Sequence, residues 1–329
     1  MPILNHDAEH DPNKILPIDY EWARQYYRDG VANNWVPEEV PMQEDVAQWN
    51  GDALTDSERQ LVEWNLGFFS TAESLTANNI VLALYEYVTA PECRQYLLRQ
   101  AYEEAIHTDT FIYCCDSLGF DPDHLYGMYD RIPSIREKDD FVVELTKNLE
   151  DDADLSTDEG VRDLLRDLVG FYVVMEGVFF YAGFAMMLAL KRQNKMVGIG
   201  QQFEYIMRDE SLHVGFGVDL VNQIRAENPD VWTDEFDDEV RELVERAVEL
   251  EQIYAREACP DDVLGMSPDQ FAEYVEYIAD RRLGQLDIEE RYGTDNPFPW
   301  MSEAVDLNKE KNFFETQVTE YQSGGSLDW

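Results

Sequence analysis

Two of the five histidines follow a glutamate by three residues, as Glu104-Ala-Ile-His107 and Glu210-Ser-Leu-His213. Residues three apart share one face of an α-helix, so each pair can reach a single metal ion from one side. Glu104 and His107 continue along their face to Phe111 and Cys114, and Phe203 and Ile206 precede Glu210 and His213 on theirs. Both pairs therefore face an apolar interior. Two more carboxylates share that setting: Glu73 lies in FFSTAESL, and Glu176 is the single charge in FYVVMEGVFFYAGFAMMLAL, residues 171–190. An unpaired carboxylate among such residues would cost several kcal/mol or hold a proton, so a cation beside Glu176 is expected.

Each pair alone reads equally well as the acidic surface of a helix. The set is more specific, because four helices each offer a ligand at mid-length. Two Glu-x-x-His helices with two single-Glu helices form the ligand pattern already known for the ferritin-like dimetal carboxylate bundle. Two divalent cations would neutralise the four carboxylates, and hard oxygen donors with imidazole suit iron or manganese better than a Cys-rich zinc site. Glu73 and Glu104 lie 31 residues apart, Glu176 and Glu210 lie 34 apart, and 72 separate the middle two. Two antiparallel helical hairpins joined by a long crossover follow. The fold class expected is all-α: a ferritin-like four-helix bundle core with additional helices.

The elements that must position these residues are legible in the texture of the chain. Gly and Pro are sparse from about Asp56 to Arg291, and apolar residues recur at helical spacing. The first helix opens with an N-cap at Thr55 or Asp56 and runs on through LALYEYV. Others are expected near 90–118, 160–193, 196–226, 234–258 and 268–291, with an acidic crossover at 121–159 holding a short amphipathic piece at FVVELTKNL. Residues 171–190 are long enough to cross a bilayer. A helix apolar on all sides also suits the centre of a soluble bundle, and the charged, amphipathic neighbours favour that reading. Residues 1–295 are expected to form one helical domain with an N-terminal arm, and 296–329 a flexible tail.

Across 329 residues, 69 Asp and Glu face 25 Lys and Arg, a formal charge of −44. Hydrophobic residues at 44% exclude a disordered acidic polymer, which would lack the apolar surface to offset its chain entropy. The charge repels phosphate backbones and anionic lipids, so neither nucleic-acid nor membrane-surface binding is expected. Self-repulsion of this size is best screened by concentrated salt, which suggests a halophilic setting. The four cysteines give no disulfide framework, and MPILNHDAEHDPNK has no secretory signal, so a cytoplasmic protein is expected.

In order along the chain, NNWVPEEVPM, STAES, EEAIHTDTF, VMEGVFFYAGF and IMRDESLH resemble the signatures of the class I ribonucleotide reductase small (β) subunit. The resemblance runs from about Trp35 to the C-terminus. It implies Glu73, Glu104, His107, Glu176, Glu210 and His213 as ligands of two metal ions, and Trp35 and Asp209 as the start of a radical-transfer route in which Asp209 links His107 to the indole. Such a carboxylate would fix the histidine tautomer and strengthen its donation. The resemblance implies that Phe180, Phe184 and Ile206 form an apolar wall beside the metals. In the tail NFFETQVTEYQSGGSLDW, Tyr321 matches the tyrosine that passes the oxidising equivalent to the large (α) subunit, with Glu315 the accompanying acid. Leu327 and Trp329 are apolar anchors for docking, and a homodimer is implied.

The family's best-known members store a radical on a tyrosine four residues after the first histidine ligand. Here that residue is Phe111, which has no hydroxyl to lose, and Tyr113 is rotated about 200° away on the helix. The oxidising equivalent is then expected to reside on the metals. With Glu73 as first ligand, the chain resembles the manganese–iron subgroup, with dimanganese or di-iron as the open alternatives. A ferritin-like ligand-binding dimetal oxidase is the nearest other enzyme, and metal storage a different class; neither needs the Tyr-bearing tail.

Overall fold

The computed structural model describes residues 2–4, 14–75, 81–146, 154–263 and 265–302. Thirteen α-helices are present among them: α1 Glu21–Ala32, α2 Gln43–Asn50, α3 Asp56–Leu75, α4 Val81–Tyr87, α5 Pro91–Leu118, α6 Pro122–Tyr126, α7 Met128–Arg131, α8 Pro133–Leu145, α9 Asp158–Leu168, α10 Tyr181–Arg192, α11 Val197–Glu227, α12 Asp234–Ala258 and α13 Pro268–Gln285. A π-helical segment, Val169–Phe179, joins α9 to α10. No strand forms among the described residues, where Val263 and Met266 make an isolated antiparallel bridge. The helical class expected from the sequence holds.

The helix ends have local causes. At α3 the Thr55 hydroxyl accepts from the Glu58 N–H and the Glu58 carboxylate accepts from the Thr55 N–H, a capping box that fixes Thr55 as the N-cap. Pro91 starts α5 without wasting an N–H, and Gly119 ends it at φ 75°, where a side chain would be strained. The start of α11 is capped from a distance: Asp45 on α2 accepts from Gly198 N (2.9 Å) and Ile199 N (3.2 Å). The long helix expected through LALYEYV is described as α3 and α4, with 76–80 outside the described residues.

Helices α3, α5, the π segment with α10, and α11 enclose the core, with α12 and α13 packed beside them. The run Asp158–Arg192 is apolar enough to cross a membrane, yet its apolar stretch is wholly buried inside the bundle. The crossover is more helical than its acidic texture suggests, since α6, α7 and α8 occupy it. Its Lys138 is fully buried, 2.5 Å from Glu251 of α12 and 3.5 Å from the Phe68 ring centre. Helices α1 and α2 pack on α5 and α11. At the other end Phe298 and Met301 are buried, and Phe298 lies 5.1 Å from Phe271 and 5.3 Å from Tyr274 of α13.

Candidate metal centre

The four core helical runs bring together the six side chains that the sequence pattern singled out. Glu73 comes from α3, Glu104 and His107 from α5, Glu176 from the π segment, and Glu210 and His213 from α11. All six side chains are 0% exposed. They divide into two overlapping groups, one of Glu73, Glu104, His107 and Glu210, the other of Glu104, Glu176 and His213, each with ligand atoms within 4.8 Å of one another. The histidines give the division its geometry. His107 Nδ1 lies 3.4 Å from Glu73, 3.6 Å from Glu104 and 3.1 Å from Glu210. His213 Nδ1 lies 3.1 Å from Glu104, 3.3 Å from Glu210 and 3.8 Å from Glu176. Glu104 and Glu210 thus turn one oxygen to each histidine, as bridging ligands do, while Glu73 and Glu176 terminate the two ends.

The donor atoms fit a pair of cations better than they fit one another. Both oxygens of Glu73, both of Glu104, one each of Glu176 and Glu210, and both ring nitrogens of His107 are buried without a hydrogen bond. Such a set would be costly unless something positive sat among it. Burial drives the Glu73 and Glu176 carboxyls well above their usual range. For Glu104, burial acts upward but the two imidazoles prevail and hold the carboxyl low. Burial would depress both histidines, yet the facing carboxylates, Glu73 for His107 and Glu210 for His213, raise them well above the ordinary value. Protons held in this way are what divalent cations displace. Oxygen-rich donors with one imidazole per ion suit iron or manganese.

Behind each histidine stands a carboxylate. Asp209 Oδ2 is 3.5 Å from His107 Nε2 and accepts a 2.7 Å hydrogen bond from Trp35 Nε1, so the carboxylate lies between the indole and the imidazole. Burial would raise the Asp209 carboxyl, but the facing His107 imidazole and the charge of Arg208 bring it below its usual value. The counterpart at the other histidine is Glu103, which the sequence pattern did not single out: its Oε2 is 3.0 Å from His213 Nε2, and its Oε1 accepts from Arg99. A signal for it exists in the sequence. The glutamate of each Glu-x-x-His pair is preceded by an acid, Glu103-Glu104 and Asp209-Glu210, and each acid reaches across to the other helix's histidine.

The apolar wall is dense. Phe180 and Phe184 lie 4.9 and 5.3 Å from Phe69, and Ile206 is buried one turn before Glu210. Phe111 stacks on Phe69 at 5.8 Å and meets Phe203 edge-on at 5.7 Å. Tyr113 points elsewhere, its hydroxyl donating to the Val40 carbonyl. Tyr321, Glu315, Leu327 and Trp329 lie outside the described residues.

The family described as ribonucleotide reductase, small chain, matches residues 12–297. The chain is similar to the ribonucleoside-diphosphate reductase subunit beta of Chlamydia pneumoniae, 53% identical over 320 residues, which cover 97% of this chain and 92% of that one. Among solved structures, the ribonucleotide reductase R2 subunit from Clostridium botulinum aligns with a TM-score of 0.83 at 25% identity, covering 93% of this chain and 94% of the other. A ribonucleotide reductase homodimer from Saccharomyces cerevisiae shares the fold at a TM-score of 0.74 and 22% identity, over 94% and 89%. With six buried carboxylate and imidazole side chains converging in the bundle these matches describe, the chain belongs to the ribonucleotide reductase small-chain family.

Proposed function

We propose that this subunit keeps its oxidising equivalent on a manganese–iron pair held by Glu73, Glu104, His107, Glu176, Glu210 and His213, and passes it outward through Trp35. By family the chain is the small subunit of a ribonucleoside-diphosphate reductase, which works with a large subunit. When bound and activated by oxygen, the metal pair supplies a strong one-electron oxidant. The protein supplies the rest. Asp209 orients His107, and oxidation of Trp35 lets its Nε1 proton pass to Asp209 Oδ2 along their 2.7 Å hydrogen bond. Phe69, Phe111, Phe180, Phe184 and Phe203 keep water and oxidisable groups from that side of the centre.

The observation that carries metal-based storage is Phe111, 2% exposed and closed in by Phe69 and Phe203 where a radical tyrosine would need a hydroxyl. From Trp35 the route continues to Tyr321 and the large subunit, with Glu315 assisting and the tail docking through Leu327 and Trp329. Residues 1–295 form the dimerising, cytoplasmic body of this reading, and 296–329 its docking tail. Electron paramagnetic resonance on oxygen-treated, manganese- and iron-loaded protein tests it. The wild type should give a metal-centred signal and no long-lived tyrosyl radical; a stable tyrosyl signal in the wild type contradicts metal storage.

A further inference from the structure

A second file of aromatic rings, tyrosines and a tryptophan with one phenylalanine between them, leaves the Glu176 half of the centre, away from Trp35. Tyr172 of the π segment donates its hydroxyl to Gln100 Oε1 at 2.9 Å, and Gln100 Nε2 donates to Glu176 Oε1 at 3.2 Å. The Tyr172 ring lies against α11 one turn beyond His213, where a Cβ on Gly217 would fall 2.0 Å from it. Glycine is what lets the ring approach there. From Tyr172 the ring centres step 6.1 Å to Phe216, 4.4 Å to Tyr96, 5.6 Å to Tyr26, 6.3 Å to Trp22 and 6.2 Å to Tyr20. Trp22 and Tyr26 are half-buried on α1, so the file reaches the surface.

Proton acceptors give this file a direction. A neutral phenol gives up an electron readily only if its proton has somewhere to go. Tyr172 donates to an amide oxygen, a poor base, and the buried Tyr96 hydroxyl has no hydrogen-bond partner. Tyr26 donates to Asp219 Oδ2 at 2.9 Å, and Tyr20 to Glu227 Oε1 at 2.6 Å. Burial raises all four phenols, so none is ionised beforehand and proton transfer must accompany oxidation. An oxidised ring is therefore poorly supported inside the file and well supported at its outer end.

We propose that this file is an outlet that discharges the oxidised centre when the large subunit does not consume it. One electron passes inward from Tyr26 through the inner rings to the centre, and the Tyr26 hydroxyl proton passes to Asp219. The resulting neutral phenoxyl is reset at the surface by one electron and one proton from a thiol- or ascorbate-class reductant. The outlet rests on the oxidising dimetal reading above and is separate from the Trp35 route.

The test uses the full chain, loaded with manganese and iron and exposed to oxygen without the large subunit. Decay of the oxidised-metal resonance signal is followed, and peptide mass spectrometry locates oxygenated aromatic residues. Tyr26→Phe should lengthen the lifetime several-fold and remove oxygenation at positions 22 and 26, with turnover beside the large subunit unchanged. Asp219→Asn keeps the phenol but weakens its proton acceptor, and should slow decay likewise. Decay that ignores both substitutions, with no oxygenation at Tyr20, Trp22 or Tyr26, overturns the outlet alone. A wild type that forms no oxidised centre overturns the metal reading and the outlet with it.

Discussion

If Glu104 bridges two ions, the six side chains of the cluster carry unequal weight. Glu104 serves both groups, whereas Glu73 and Glu176 each serve one. Glu104→Ala should therefore bring metal content close to zero, while Glu73→Ala and Glu176→Ala should each retain about one ion per chain, measured by elemental analysis after equal loading. Loss of both ions from all three variants would contradict the bridging role. Trp35→Phe should leave metal content intact and abolish turnover with the large subunit, since phenylalanine cannot donate to Asp209; retained turnover would reject the route. Most of these residues were legible because their types conflict with their surroundings, Glu176 in an apolar run above all. Glu103 was not, because an acid beside an acid on a helix in a chain this negative reads as surface until the opposite helix brings His213 to it.

Helices carry the ligands to register, and their ends can be tested singly. Asp45→Ala removes the acceptor for two N–H groups at the start of α11, at a cost of about 1–2 kcal/mol, read as a lower unfolding midpoint with the far-ultraviolet spectrum retained. The crossover offers a pH test. Burial lifts the Glu251 carboxyl to about 7, so between its ordinary range near 4.5 and 7 the folded chain holds a proton that the unfolded chain has released. Stability from this group is then lost as pH rises through that window. Relative to Glu251→Gln, the wild type should lose stability between pH 5 and 7.5, by thermal unfolding at each pH; a constant difference would contradict the raised carboxyl. The helices at 91–118, 197–227 and 234–258 were readable to within a residue, whereas the one expected over 268–291 ends at Gln285. The π segment was not, because a run apolar in every phase conceals which helix it forms, and Lys138 in REKDD gave no hint that α8 buries it.

At the scale of the whole molecule, the charge of −44 outweighs any single contact. If self-repulsion opposes compaction, raising salt from roughly 0.1 M to 1 M, which shortens the screening length from about 10 to 3 Å, should raise the unfolding midpoint; a flat or falling midpoint would argue against the halophilic setting. Architecture and centre were legible together because two hairpins and a crossover are what the ligand spacing demands. On this account the bundle holds two ions among the six side chains. Anomalous diffraction at the manganese and iron edges, from crystals of loaded protein, tests it most directly. Two peaks are predicted, one among Glu73, Glu104, His107 and Glu210 and one among Glu104, Glu176, Glu210 and His213, and a fully loaded crystal with no density there, or with ions only elsewhere, would contradict it.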